Sequence, residues 1–410
     1  MAATVSRLAH PEVHLAAYGG IVFPLSLLIE APIIMILVAS TALCKDSAAY
    51  RLMRNFIVTL GGGLTLLHML LAFSPLYDVI VKTLLGAPAS IWGPAQMGLQ
   101  MMTPWTMSIA VRRFFQGMVI RAGRSRLVGL GTLIRLGVST SVLLWGLAMQ
   151  TIPGVLVATM ALTAGVIFEA AFMFGCTRPI VRALHQRAVE PEYPLTLQRL
   201  CVFYWPLALT PLVMLATLSV GSAAISRMPR ALESLAVWPV LGGLTFMFRS
   251  VGIAIQEVVV TFSDRPQFQR PLQHFVWLVA LGASATLFVI AATPLSTWWF
   301  ESVAALNPEL SALARTALWM AVILPALSPW ESYFQGELVS HGATTFVTQA
   351  VSLYLLGSSS ILVLGVFYGK ILGLYVGVAA TLTGISIQLW WLWRHSHNMR
   401  SASKPSLIVS

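Results

Sequence analysis

Eight ionisable residues interrupt stretches of sequence that are otherwise apolar: Glu30, Arg112, Arg113, Arg135, Glu169, Arg249, Glu257 and Glu331. A charge at the centre of a bilayer costs about 2.5–3.5 kcal/mol, so groups of this kind face a bundle interior or a watery cavity and pair with one another. The chemistry open to them is recognition of charged solutes and the carriage of ions or protons. Glu30 and Glu331 lie deepest in their stretches, and Glu169 sits on the last one of the first half. For Arg113, Arg135, Glu257 and Glu337 a place near the end of a stretch, with the head group reaching water, is an equal reading. The candidates for a substrate or ion pathway are therefore Glu30, Arg112, Arg113, Glu169, Arg249 and Glu331.

Other chemistries find no support in the pattern. No Gly-rich loop leads into Lys-Ser/Thr, so no nucleotide hydrolysis is expected of this chain. His68 stands alone in an apolar stretch and reads as a packed, hydrogen-bonded histidine before a proton carrier. Cys44, Cys176 and Cys201 follow no metal or redox spacing, and no His/Cys cluster has the spacing of a metal site. No catalytic triad is arguable. The expectation is a protein that is not an enzyme and carries neither metal nor cofactor.

The elements that must position these charges are membrane spans. Of 410 residues 57% are hydrophobic and 10% charged, with a mean hydropathy of +0.81. A soluble protein carries about a quarter of its residues charged, so lipid must be the solvent for most of this exterior. Eleven apolar stretches reach the roughly 20 residues that cross a bilayer: 18–43, 55–74, 96–120, 127–150, 153–177, 199–223, 236–262, 273–293, 312–336, 345–367 and 371–393. Helix is the expected form, because an isolated strand leaves its backbone unsatisfied in lipid. The excess of Lys and Arg (25 against 14 acidic residues) follows the loops, so nucleic acid is not expected as a partner. Loops 44–54, 121–126, 178–199 and 263–272 and the C-terminus hold fifteen of them, and the alternate loops five. That bias places the C-terminus in the cytoplasm of a multi-pass protein of the inner (plasma) membrane.

An internal repeat organises the spans. Val5-Ser6-Arg7-Leu8 matches Ile225-Ser226-Arg227-Met228 at an offset of 220. Ser74-Pro75-Leu76 matches Thr293-Pro294-Leu295, and Phe114-Phe115-Gln116-Gly117 matches Tyr333-Phe334-Gln335-Gly336, both at 219. An even number of spans separates matched segments, so the halves share one orientation, as in transporters with parallel repeats. The expected architecture is all-α, with about eleven transmembrane helices in two pseudo-symmetric lobes. Residues 1–177 form the N-terminal lobe, 178–198 a cytoplasmic linker, 199–393 the C-terminal lobe and 394–410 a cytoplasmic tail. Residues 199–223 lack a counterpart in the first half, so the pattern is a twelve-helix fold without its first helix. At the 219 offset Glu30 meets Arg249 and Arg112 meets Glu331, a double reversal of charge. It predicts that Glu30 lies near Arg112, and Arg249 near Glu331.

Three stretches carry a family resemblance. They are Ser6-Arg7 through Leu15-Ala16-Ala17-Tyr18-Gly19 to Leu28-Ile29-Glu30-Ala31-Pro32-Ile33-Ile34, then Arg112-Arg113-Phe114-Phe115-Gln116-Gly117 with Arg121, Gly123 and Arg124, then Tyr204-Trp205-Pro206-Leu207-Ala208-Leu209. With the two-lobe plan they resemble the multidrug/oligosaccharide-lipid/polysaccharide (MATE-like) exporter superfamily, nearest the bacterial relatives of the progressive ankylosis proteins. The resemblance implies secondary active export of a small organic or phosphate-bearing solute by alternating access between lobes. A proton or sodium ion would be the coupling ion, and the bilayer and a small-molecule substrate the partners. Two alternatives stand beside it, a lipid-linked oligosaccharide flippase and a truncated membrane protein that transports nothing.

Overall fold

A computed structural model describes residues 1–186, 195–253, 255–262, 266–341 and 343–402. Part of the expected linker (187–194), the end of the expected tail (403–410) and the side chain of Glu257 lie outside the described residues. Among the described residues there is no strand. The helices are α1 (Pro11–Leu43), α2 (Ser47–Phe73), α3 (Trp92–Arg121), α4 (Arg126–Met149), α5 (Gly154–Gln186), α6 (Leu197–Ile225), α7 (Ala231–Ile253), α8 (Ile255–Phe262), α9 (Pro266–Ala292), α10 (Pro308–Ala321), α11 (Leu324–Ser340), α12 (Thr344–Tyr368) and α13 (Gly373–Ala402).

Nine of these helices are long and apolar enough to cross a membrane, and the pair α10–α11, bent by 41°, makes a tenth. The 30 residues of α3 also suffice in length, but Gln96, Gln100, Arg112, Arg113 and Gln116 dilute its apolar content. Each of the eleven stretches expected from sequence thus coincides with helix, 236–262 being shared by α7 and α8 and 312–336 by the bent pair. The outward faces match a multi-pass membrane protein: Leu133, Leu278 and Phe367 are 64%, 71% and 84% exposed. No such side chains would gain from burial where the surrounding solvent is itself hydrocarbon.

Local chemistry sets the helix ends. The Asp46 carboxylate accepts from the Ala49 amide at 2.8 Å and caps α2, and Asn307 does the same for Leu310 at the head of α10. α1 is not regular. A π-helical turn occupies Ala16–Val22, and the Glu30-Ala31-Pro32 step tightens into a 3-10 turn at Ala31–Ile33. Proline has no amide hydrogen to continue an α-helix, which frees a carbonyl upstream. Within this break the Pro32 carbonyl accepts from the Tyr204 hydroxyl of α6.

Contacts divide the chain into two compact units, Met1–Ser226 and Arg227–Ser410. α6, which the repeat places at the head of the second lobe, groups with the first unit through Tyr204, whose ring also meets Phe56 edge-on at 5.0 Å. Inside each unit the repeat is visible in detail. Short π-helical segments at Asp78–Leu84 and Trp298–Val303 end with the same hydrogen bonds, Leu85 N to Ile80 O and Ala304 N to Trp299 O, both 2.8 Å. Gly117 and Gly336 are matched points of close approach. A Cβ on Gly117 would lie 2.5 Å from the Leu37 carbonyl, and one on Gly336 would lie 3.0 Å from the Gln256 carbonyl. Leu37 and Gln256 are themselves 219 residues apart.

Candidate functional site

The first unit gathers its buried charges on Glu169. Arg112 and Gln116 stand four residues apart on α3 and so share one face of that helix. α5 presents Glu169, which is fully buried, to that face. One carboxylate oxygen, Oε2, accepts from Arg112 Nη1 at 3.0 Å and lies 3.4 Å from Arg135 Nε of α4. The other, Oε1, accepts from Gln116 Nε2 at 2.9 Å. Small residues make room for this arrangement. A Cβ on Gly131 of α4 would lie 3.4 Å from Glu169 Cγ, and one on Gly165 of α5 would lie 3.1 Å from Arg135 Cγ.

Glu30 is placed differently. It ends the regular stretch Phe23–Glu30 just before the break in α1 and is 5% exposed. Its Oε2 is buried without a hydrogen-bond partner, and it has no ion pair among the described residues. Arg112 and Arg113 are near enough for their charges to act on it. The Arg113 side chain likewise makes no hydrogen bond or ion pair among the described residues, and its Nε is buried without a partner. Glu30 thus has Arg112 as a neighbour, as the repeat suggests, while the ion pair of Arg112 is made with Glu169, where α3 packs against α5.

The second unit repeats these positions with other residues. Glu331 of α11 accepts at Oε1 from Gln388 of α13 at 2.9 Å and from Gln335 at 3.2 Å. Arg249 of α7 is a charged neighbour of Glu331 and forms no ion pair among the described residues. At the 219 offset Arg112, Gln116, Arg135 and Glu169 become Glu331, Gln335, Tyr354 and Gln388, and Glu30 becomes Arg249. The bond from Arg112 to Glu169 and the bond from Gln388 to Glu331 thus join the same two positions, with donor and acceptor exchanged. Tyr354 lies within reach of both Arg249 and Glu331, as Arg135 lies beside Arg112 and Glu169.

Of the six candidates, the structure brings Glu30, Arg112, Arg113 and Glu169 together in the first unit, and Arg249 and Glu331 in the second. Gln116, Gln335, Tyr354 and Gln388 join these charges without being among the sequence candidates, and so does Arg135, for which a span end is an equal reading of the sequence. Their signal was available, since each is a polar group in an apolar stretch at the repeat offset. His68 is fully buried, with Nδ1 2.9 Å from Thr106 Oγ1, in keeping with a packed histidine.

No protein-family model matches the sequence, and no curated protein does either. Solved structures do match. An inward-facing multidrug resistance MATE family transporter of the MOP superfamily superposes with a TM-score of 0.75 at 13% identity, over 98% of this chain and 95% of that one. The lipid II flippase MurJ in an inward closed conformation gives a TM-score of 0.59 at 14% identity, covering 100% and 91%. A MOP superfamily transporter from Pyrococcus furiosus, described as having a binding pocket of reverse polarity that suggests a different function, gives 0.58 at 12%, covering 97% and 88%. The chain has the fold of these transporters, a MATE-like fold.

Proposed function

We propose that the chain is a secondary active transporter that exports a small organic or phosphate-bearing solute by alternating access of its two units. A proton or sodium gradient drives it. Supporting this is one observation above others: each unit sets charges side by side within its apolar helices at matched positions, Glu169 with Arg112 and Arg135, and Glu331 with Arg249. Charges inside spans are costly and mark pathways for substrates and ions. Guanidinium groups outnumber carboxylates in the first set, Arg112, Arg113 and Arg135 against Glu30 and Glu169. Arginine suits carboxylate and phosphate groups, so the substrate is an anion. The ankylosis-like motifs around Glu30 and Arg112 point the same way. In proteoliposomes with imposed proton or sodium gradients, organic anions or phosphate esters should accumulate. Movement of lipophilic cations with none of anions would overturn this assignment.

A lipid-linked oligosaccharide flippase is the second reading, favoured by the likeness to MurJ. Translocation of a labelled lipid-linked glycan without movement of soluble anions would establish it instead.

The orientation we propose follows the loop charges, with the C-terminus in the cytoplasm of a plasma-membrane protein. In a background without Cys44, Cys176 and Cys201, a cysteine at Ser125 should react only with a cytoplasmic-side reagent, and one at Ala305 only from outside. Labelling of both from one side would refute the helix order.

A further inference from the structure

A second polar feature of the first unit lies away from the Glu169 cluster. A cavity of about 490 Å³ opens where α1 and α3 end, against the last turns of α5. Lys45, Arg121 and Arg124 line it, over a wall that includes Cys44, Ile180 and Leu184. The size suits a small ligand, since such sites run to about 300–1,000 Å³. Arg121 is held in place: its Nη1 donates to the carbonyls of Thr41 at 2.8 Å and Ala42 at 3.4 Å, at the carbonyl-rich end of α1. The side chains of Lys45 and Arg124 make no hydrogen bond or ion pair among the described residues; only their backbone groups are bonded. The neighbouring acid, Asp46, is engaged in capping α2. Three cations thus converge on one opening without a bonded counter-charge among the described residues.

The level of the opening matters. At 1.5 Å per residue the 33 residues of α5 run to roughly 50 Å, against about 30 Å of hydrocarbon. Its last turns, which form one wall, therefore stand at the headgroup layer or beyond it. The fold does not require the cations. At the 219 offset Lys45, Arg121 and Arg124 become Asp264, Ser340 and Ala343.

We infer that this cavity is a binding site for a phosphate-bearing anion, distinct from the buried charges assigned to transport. Lysine and arginine over an apolar wall suit a phosphodiester or phosphomonoester group with its organic neighbour. The group comes either from an anionic phospholipid headgroup or from a soluble phosphate ester. The experiment uses the full-length purified protein. Native mass spectrometry would follow retention of phosphatidylglycerol, cardiolipin and phosphatidylcholine, and thermal shift would follow inorganic phosphate and glycerol phosphate. The Lys45→Gln, Arg124→Gln double variant removes two cations that hold nothing else in place, and Arg51→Gln is an exposed basic control outside the cavity.

Wild-type protein should retain anionic lipid about tenfold better than phosphatidylcholine, and the double variant should lose that preference, as expected for charge-assisted contacts. Arg51→Gln should keep it. Stabilisation by a soluble phosphate ester, lost in the same double variant, would also support the site and would name the soluble source. Three results overturn it: undiminished binding of both kinds in the double variant, equal retention of phosphatidylcholine, or a loss in Arg51→Gln as large as in the double variant.

Discussion

Glu169→Gln should cost most of the folded protein, the largest effect expected of any single substitution in the buried clusters. Glu169 is the common acceptor for Arg112, Gln116 and Arg135, and it is fully buried. Neutralising it leaves two guanidinium groups close together with their carboxylate gone. Removal of one member of a buried ionic set typically costs about 3–5 kcal/mol. The readouts are the yield of monodisperse protein in size-exclusion chromatography and its melting temperature. The repeat supplies the rescue. Glu30→Arg, Arg112→Glu, Arg135→Tyr and Glu169→Gln together give the first unit the residues that the second unit carries at the same positions, with Gln116 already matching Gln335. Room for the new ring is present, since Gly165 beside Arg135 matches Gly384 beside Tyr354. The fourfold variant should regain a substantial part of the yield lost by the single one. A stable Glu169→Gln protein, or a fourfold variant worse than the single, would show that the cluster is not the unit of stability described here.

Much of this was legible in the sequence because lipid imposes two strong patterns, span length and the scarcity of charge inside spans. The repeat added the correspondence of the two units, and the structure shows it down to single hydrogen bonds at Ile80 and Trp299. The partners of Arg112 were not legible. Charge reversal at Glu30 and Arg249 suggested a pair, but reversal is also satisfied by a hub on a third helix. Glu169 meets Gln388 at the offset, a change from ionised to neutral that does not register as a reversal although the hydrogen bond persists. The break of α1 lies at Ala31–Ile33. Pro32 announces a break in the sequence, but the group that takes up its carbonyl, the Tyr204 hydroxyl, is 172 residues away and no local pattern points to it.

Glu30→Gln should leave the protein folded and abolish coupling. The two carboxylates of the first unit differ in one respect that decides this. Both oxygens of Glu169 accept a hydrogen bond, whereas Glu30 Oε2 is buried and accepts none. Glutamine has the same shape, so its introduction breaks no hydrogen bond and no ion pair seen in the structure. It also removes a buried negative charge that Arg112 and Arg113 offset only at a distance. The melting temperature should therefore stay close to that of the wild type, a change within about 1 kcal/mol, as for substitutions that break no buried network. A carboxylate with an unengaged oxygen can take up and release a proton or a sodium ion without dismantling the ion pairs around Glu169, and an amide can do neither. Gradient-driven transport in proteoliposomes should fall by about tenfold or more, the scale of losing one charge-assisted contact, while exchange of substrate across the membrane without a gradient continues. Glu169→Gln, by contrast, should fail at folding before transport can be measured. If Glu30→Gln retains full gradient dependence, Glu30 is not the coupling residue. If it unfolds as Glu169→Gln does, Glu30 is a structural charge and the division of labour between the two carboxylates is wrong.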